Sequence, residues 1–546
     1  MRLINVKTLE LEEFTDNKTP DYAILSHRWG SAGSEIAFQD LQTLSPAQKH
    51  SEGYAKITNC CAQASRDGLD WAWVDTCCIN KSSSAELSES INSMFRWYRS
   101  SKRCYAYLAD VESSNELSSS SAGDADLLAT SKWFTRGWTL QELLAPPDLE
   151  FFSQSWTTIG TKRTLSDIIS RITKIPAKIL GGGSLSSVSI ATRMSWAANR
   201  VTTRLEDVAY SLLGIFDVHM PLLYGEGHKA FIRLQEQIMK ESDDHSLFAW
   251  KNLHVPTSTS WTSEVPKIDL LADAPAAFAD AANIIPFRNM KASEPYALTN
   301  KGVRMSVILI PDRGRAASEP FVIAVLECRL DGPFEGLLGI TLVRSSKGSD
   351  QYARYMGESE DPKVIGLDRI IGQPSSTIFV RKSAIVPDFS LAGRFVVRIS
   401  AESGYRVLQA YPDDCWNSNS STMATNDQGF GILIFERPRD RHFVVFIRSL
   451  VSTGYVESEA CRVLRDRLAL RQALKPYYGV FEHLVKTCSQ KTAGPLKEGD
   501  AVSNSIGSLM GRRNVLSGLT DSPNHGRVSC RSADLFGQQM FIIDVS

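Results

Sequence analysis

The first ~160 residues alternate short, almost unbroken apolar runs with longer amphipathic stretches, and this alternation constrains the fold more than any other feature of the chain. Asp21–Ser26 (DYAILS), Leu69–Asp75 (LDWAWVD), Arg103–Leu108 (RCYAYL) and Leu149–Phe152 have the length and the branched or aromatic content of buried strands. Between them, Tyr54–Asp67 spaces Ile57, Cys60, Cys61 and Ala64 at helical intervals. Ser84–Tyr98 puts Leu87, Ile91, Met94, Phe95 and Tyr98 on one helix face, and Ser131–Leu144 predicts a further helix stopped by Pro146-Pro147. The serine-rich Asn115–Gly123 reads as a loop. Strand-helix-strand order needs right-handed crossovers, so the expectation is a parallel sheet covered on both faces.

The pattern changes twice further on. Residues 163–255 read mostly as helices, among them Ser195–Asn199, Leu205–Phe216 and Lys229–Glu241, with an interruption at Gly181–Gly183. Residues 256–546 hold runs such as FVIAVLECRL, GLLGITLV, RFVVRIS, GILIFE and FVVFIR between turn residues, which predicts a separate β-rich, sandwich-like domain. The expected architecture is α/β: a parallel-sheet domain at 1–162, a helical extension at 163–255 and the β-rich domain at 256–546.

Composition excludes several function classes. Of 546 residues, 43% are hydrophobic and 22% charged, with a net charge of −1, so there is no global field to attract nucleic acid or an anionic membrane. The Arg-rich stretch Cys461–Gln472 reads as a solvated helix face. No apolar run approaches the ~20 residues of a membrane span, and MRLINVKTLELEEF lacks the apolar segment of a secretory signal. A cytoplasmic protein is expected. The ten cysteines include the adjacent pairs Cys60-Cys61 and Cys77-Cys78, which lack zinc-knuckle spacing and read as small buried apolar residues. His219, His228 and His245 have no ligand spacing, so no metal site is expected. Gly181–Gly183 lacks the Lys-Ser/Thr of a P-loop, and Ser26 lacks a nucleophile elbow.

Three blocks carry a family resemblance: YAILSHRWG (Tyr22–Gly30) followed by FQDL, WVDTCCIN (Trp73–Asn80) continuing to Tyr98, and SKWFTRGWTLQELLAP (Ser131–Pro146). In composition and order they resemble the fungal heterokaryon-incompatibility (HET) domain. RMSW, RLEDVAY, GIFDV and PLLYGEG resemble the segment that often follows it. The same blocks resemble a TIR domain: a first strand ending in Ser26, a second ending in Asp75, and a W-x-x-x-E helix, Trp138 to Glu142, after the third.

The resemblance implies a flavodoxin-like fold and a role in nonself recognition and regulated cell death. It also implies an effector held inactive until it self-associates or is released by an incompatibility partner. In TIR domains that cleave NAD the glutamate of this motif is catalytic, so Glu142 is the candidate catalytic residue. Ser26, His27, Arg28, Trp29, Asp75, Trp133, Arg136 and Trp138 are candidates to bind substrate. The resemblance implies NAD as the substrate and no permanently bound cofactor; a nucleotide-binding switch without turnover is a further alternative. The alternative is a non-enzymatic module that signals by self-association, with Trp138 in the core and Glu142 paired to Arg136 or Arg28. Geometry separates the two, since a catalytic Glu142 should face a cleft containing Ser26–Arg28 and Asp75.

Overall fold

The four expected strands form and run parallel: β3 (Ala23–His27), β4 (Trp71–Trp73), β5 (Arg103–Tyr107) and β6 (Leu149–Phe152). The computed structural model describes residues 1–15, 18–31, 33–112, 122–251, 267–287, 295–312, 321–345, 349–355, 362–382, 394–411, 416–424, 430–437, 443–452, 455–464, 528–535 and 538–546. Most of the expected loop at 115–123 lies outside the described residues, as does the end of the Arg-rich stretch 461–472, whose beginning, Cys461–Leu464, closes the strand Tyr455–Leu464 instead of forming the expected helix face.

The sheet is wider than the alternation alone implies. An N-terminal hairpin, β1 (Arg2–Asn5) and β2 (Leu11–Glu13), adds antiparallel beyond β4, and β7 (Thr158–Thr161) adds antiparallel beyond β6. The order is β2-β1-β4-β3-β5-β6-β7. The chain steps from β3 outward to β4, then back across to β5, so the topological switch point lies between β3 and β5, where ligands of doubly wound sheets bind.

Among the described residues of this part, six helices form: α1 (Pro46–Lys49), α2 (Glu52–Arg66), α3 (Asp75–Cys78), α4 (Ser84–Ser100), α5 (Ala122–Ala129) and α6 (Thr139–Leu144). Ser51 and Ser83 cap α2 and α4 with their hydroxyls. The α2 helix packs on β3 and β4, while α6 packs on β3 and on α4. Right-handed crossovers put α2 and α4 on opposite faces. Tyr98 on α4 donates to the Leu25 carbonyl of β3 at 2.9 Å.

The helix expected over Ser131–Leu144 begins only at Thr139. Arg136 forms an isolated parallel bridge to Val201, and the Gly137 amide donates to the Val201 carbonyl at 2.8 Å. A Cβ at Gly137 would lie 2.4 Å from Thr202 Cγ2, so only glycine admits this crossing. Likewise Asp75 opens a helical turn where a loop was expected, Ser195–Asn199 is mostly turn after Ile190–Ser195, and Leu205–Phe216 is two short helices, Asp207–Tyr210 and Leu213–Phe216.

The C-terminal region is β-rich, as expected. Between 267 and 382, however, it is not a sandwich of open sheets. Leu337–Arg344 pairs with both Phe321–Val325 and Gln351–Tyr355, closing a five-strand ring through Gly302–Pro311 and Ser375–Val380. Closure removes the exposed edges that open sheets leave. Two sheets sharing a second core, including Phe395, Met423, Leu433, Phe435 and Ile543, follow after residue 394.

The main core is continuous from Leu3 to Val380 and passes the composition boundary at 255. Fully buried Arg354 donates to the carbonyls of Phe248 (3.0 Å) and Trp250 (2.7 Å), and Gln235 exchanges hydrogen bonds with Ala272. No helix among the described residues is long and apolar enough to cross a membrane.

Candidate functional site

The last two residues of β3 point to opposite faces of the sheet. On the α6 side, Ser26 donates to Glu142 Oε2 at 2.5 Å and accepts the indole N–H of Trp133 at 3.0 Å. All three side chains are buried. Among the described residues no ion pair reaches Glu142. Burial pushes its carboxyl up to about 8, with Asp75 adding to the rise and the Ser26 hydrogen bond and the charges of Arg136 and Arg200 offsetting part of it. At neutral pH the carboxyl is therefore mostly protonated.

On the α2 side, the His27 side chain is 1% exposed. Its Nε2 lies 3.6 Å from Glu35 Oε2 and its Nδ1 3.8 Å from Asp75 Oδ1, and neither nitrogen has a hydrogen-bond partner. Glu35 is held by Lys56 and by the Gly30 amide, which donates at 2.7 Å. Burial alone would raise Glu35, but His27, Lys56 and Gly30 outweigh it and hold the carboxyl at about 2. Lys56 also donates to the Arg28 carbonyl at 3.1 Å. Gly53 lets α2 come this close, because a Cβ there would sit 2.3 Å from the Ser34 carbonyl oxygen.

Asp75 extends the His27 side toward Trp29. Its Oδ2 accepts the indole N–H of Trp29 at 2.8 Å, and Trp29 is 39% exposed. Lys81 Nζ sits 3.8 Å from the Trp29 ring centre and the Arg136 guanidinium carbon 5.1 Å from it. Burial lowers the Lys81 pKa, with Asp75 opposing and Arg136 adding to the fall. A cleft of about 440 Å³ opens beyond the carboxyl ends of β3 and β5, lined among others by Arg28, Trp29, Lys56, Lys132, Trp133 and Trp156. That volume falls within the usual range of small-molecule sites.

The structure thus gathers eight of the nine candidates around the end of β3. Ser26, Trp133 and Glu142 touch one another; His27, Trp29 and Asp75 form a second group; Arg28 lines the cleft; Arg136 stands over Trp29. Trp138 goes elsewhere: it packs half-buried on the core and hydrogen-bonds Asp207 of the helical extension. The expected cleft containing Ser26–Arg28 and Asp75 and faced by Glu142 does not form: Arg28 lines the cleft, but Ser26, His27, Asp75 and buried Glu142 do not, and Trp133 stands between Ser26 and the cleft. Sequence reasoning missed Glu35, Lys56, Lys81 and Arg200. Lys56 left a signal, a cation four residues before Cys60 on an apolar helix face. Glu35 and Lys81, in loops, left none.

Residues 22–126 match the family model described as heterokaryon incompatibility protein (HET), and residues 229–339 match a domain of unknown function. The likeness extends to a named relative: the chain is 49% identical over 231 residues to "Vegetative incompatibility protein HET-E-1" of Podospora anserina. The N-terminal part of the chain is therefore similar to the HET family. The aligned part is 42% of this chain and 17% of that relative's length, so the chain spans about a sixth of the relative. No solved structure matches the chain. The HET match holds β3, α2, α4 and β5 and ends before α6, so Glu142, Trp133 and Arg136 lie beyond it. The second match begins at Lys229 and crosses residue 255, as the continuous core does.

Proposed function

We propose that this chain acts in fungal heterokaryon incompatibility, as an effector of regulated cell death after nonself recognition, and that its HET region is a flavodoxin-like, TIR-related module that cleaves NAD. The observation that supports this most is the meeting of Ser26, Trp133 and Glu142 at the β3/β5 switch point, with a buried, strongly perturbed carboxyl that no ion pair reaches among the described residues. Perturbed carboxyls of this kind cluster at functional sites. In the reaction, water adds to the ribose carbon that bears nicotinamide, nicotinamide leaves as a neutral ring with the bonding electron pair, and one proton is released. Glu142, once ionised, would stabilise the oxocarbenium charge on the sugar.

The neutral carboxyl behind Ser26 and Trp133 describes a resting effector. Activation must bring the ribose to Glu142, and the cationic nicotinamide ring beside that ribose favours the ionised form. Self-association or an incompatibility partner would supply that change. The β-rich C-terminal region takes the place of a sensor or regulator.

A second reading, a non-enzymatic interaction module, is favoured by the absence of Glu142 from the cleft wall. The test is incubation of the purified chain with NAD. Nicotinamide release that Glu142→Gln removes supports cleavage. No release, with toxicity retained by Glu142→Gln in cells at matched abundance, leaves the interaction module.

A further inference from the structure

Trp29 gathers two cations that lack carboxylate partners. Lys81 Nζ is 3.8 Å and the Arg136 guanidinium carbon 5.1 Å from its ring centre. Neither side chain makes a hydrogen bond or ion pair within the described residues. The nearby carboxylates are otherwise engaged: Asp75 accepts the Trp29 N–H and faces His27, while Glu35 is taken by Lys56 and Gly30. Two like charges held on one half-exposed indole repel each other, and the ring offsets only part of that cost. An anion placed between them would relieve it. Beside them, buried His27 faces Glu35 and Asp75 at 3.6 and 3.8 Å, beyond hydrogen-bond distance, so those two carboxylates are turned toward His27 rather than toward Lys81 and Arg136.

The geometry points to Lys81 and Arg136 as a clamp for a pyrophosphate group, set across Trp29 at the mouth of the β3/β5 site. Arg136 offers a planar, forked donor and Lys81 a compact charge, the pair commonly used on phosphate oxygens. Tyr107 and Trp156 stack with centres 5.1 Å apart and tilted by only 15°, and both line the cleft together with Trp29. Lys81 and Arg136 are not among the lining residues, so Trp29 is the link between the clamp and the aromatic surface on which a nucleobase attached to the pyrophosphate would stack. The natural ligand would then be a dinucleotide or a nucleoside diphosphate. In naming a dinucleotide the inference rests on the proposed NAD reading, whereas the anion clamp is tested without it.

The experiment titrates the full chain by calorimetry, at fixed ionic strength, with inorganic pyrophosphate, ADP and NAD separately. The variants are Lys81→Ala, Arg136→Gln, Lys81→Arg and, as a remote control, Lys102→Ala, whose side chain is 64% exposed and pairs with Asp21. Loss of one charged hydrogen-bond donor should weaken binding roughly ten- to a hundredfold in the first two. Lys81→Arg should keep most of the affinity, and Lys102→Ala all of it. The Lys81 ammonium reaches solvent, so Lys81→Ala keeps the test open even where Arg136→Gln folds poorly. ADP and NAD binding more tightly than pyrophosphate identifies a nucleotide; equal affinities identify the free anion. Unchanged affinities in Lys81→Ala and Arg136→Gln, or no binding of any probe to the unmodified chain, overturn the clamp. Binding that the variants weaken, without nicotinamide release, upholds the clamp and sinks NAD cleavage. Release with Lys81→Ala affinity unchanged does the reverse.

Discussion

Replacing Glu142 by Gln tests the electrostatics of the site before any substrate is added. The folded protein holds this carboxyl at about 8, against 4.5 for an unperturbed glutamate. The folded state therefore keeps a proton that the unfolded chain gives up between these values. Stability from this group is fully present below pH 4.5 and is lost as pH rises through 8. The loss is about 1.4 kcal/mol per pH unit, or roughly 3 kcal/mol by pH 7. Glutamine keeps the shape and can still accept from Ser26, but it does not titrate. Its buried NH₂ group needs acceptors and adds a constant offset of about 1–3 kcal/mol, which does not affect the slope. The assay is the thermal midpoint of both proteins from pH 5 to 8. For a cooperative unit of about 380 residues, the extent of the main core, Glu142→Gln should gain about 2 °C on the parent with each pH unit. A difference that stays flat across this range would mean that Glu142 is already ionised in the folded protein, and the resting-state argument would fail.

Three other outcomes follow from the packing. Gly53→Ala puts a Cβ 2.3 Å from the Ser34 carbonyl oxygen, so α2 must move from the Glu35 loop; a loss of about 1–3 kcal/mol is expected in denaturant unfolding, and an unchanged midpoint would contradict the contact. Arg354→Met leaves the carbonyls of Phe248 and Trp250 without these donors in the core, so a loss of about 3 kcal/mol and faster proteolysis near residue 250 are expected, and wild-type resistance would refute the pin. Burial lowers His245 to about 4 from 6.5, and its Nδ1 accepts the Glu327 amide at 3.2 Å. Its folded value is depressed, so stability present above pH 6.5 is lost as pH falls toward 4, by up to roughly 3 kcal/mol; His245→Gln should flatten that decline in melts between pH 7 and 4.5.

How much of this was legible in the sequence depended on periodicity. The four parallel strands are short apolar runs with amphipathic helices between them, and they fell within a residue or two of the structure. The hairpin β1–β2 and the edge strand β7 escaped because edge strands bury one face or less: Leu11–Glu13 has no fully buried residue and Thr158–Thr161 only two. Ser26, Trp133 and Glu142 were expected in one site and do converge. Trp138 does not join them, because the turn that Gly137 and Val201 impose starts α6 only at Thr139 and leaves Trp138 facing Asp207. The closed ring of 267–382 depends on which strands pair, and local apolar pattern does not encode that choice. Glu35 and Lys81 reach the site through loop geometry alone, which no spacing rule reports.

Whether Glu142 drives NAD cleavage is decided by the nicotinamide released per minute from NAD by the full chain and by Glu142→Gln at matched folding. Release is expected from the unmodified chain, with a fall of about a hundred- to a thousandfold in the variant, the usual effect of removing one electrostatic stabiliser of a transition state. Equal rates in the two proteins, or no release from either, would contradict it.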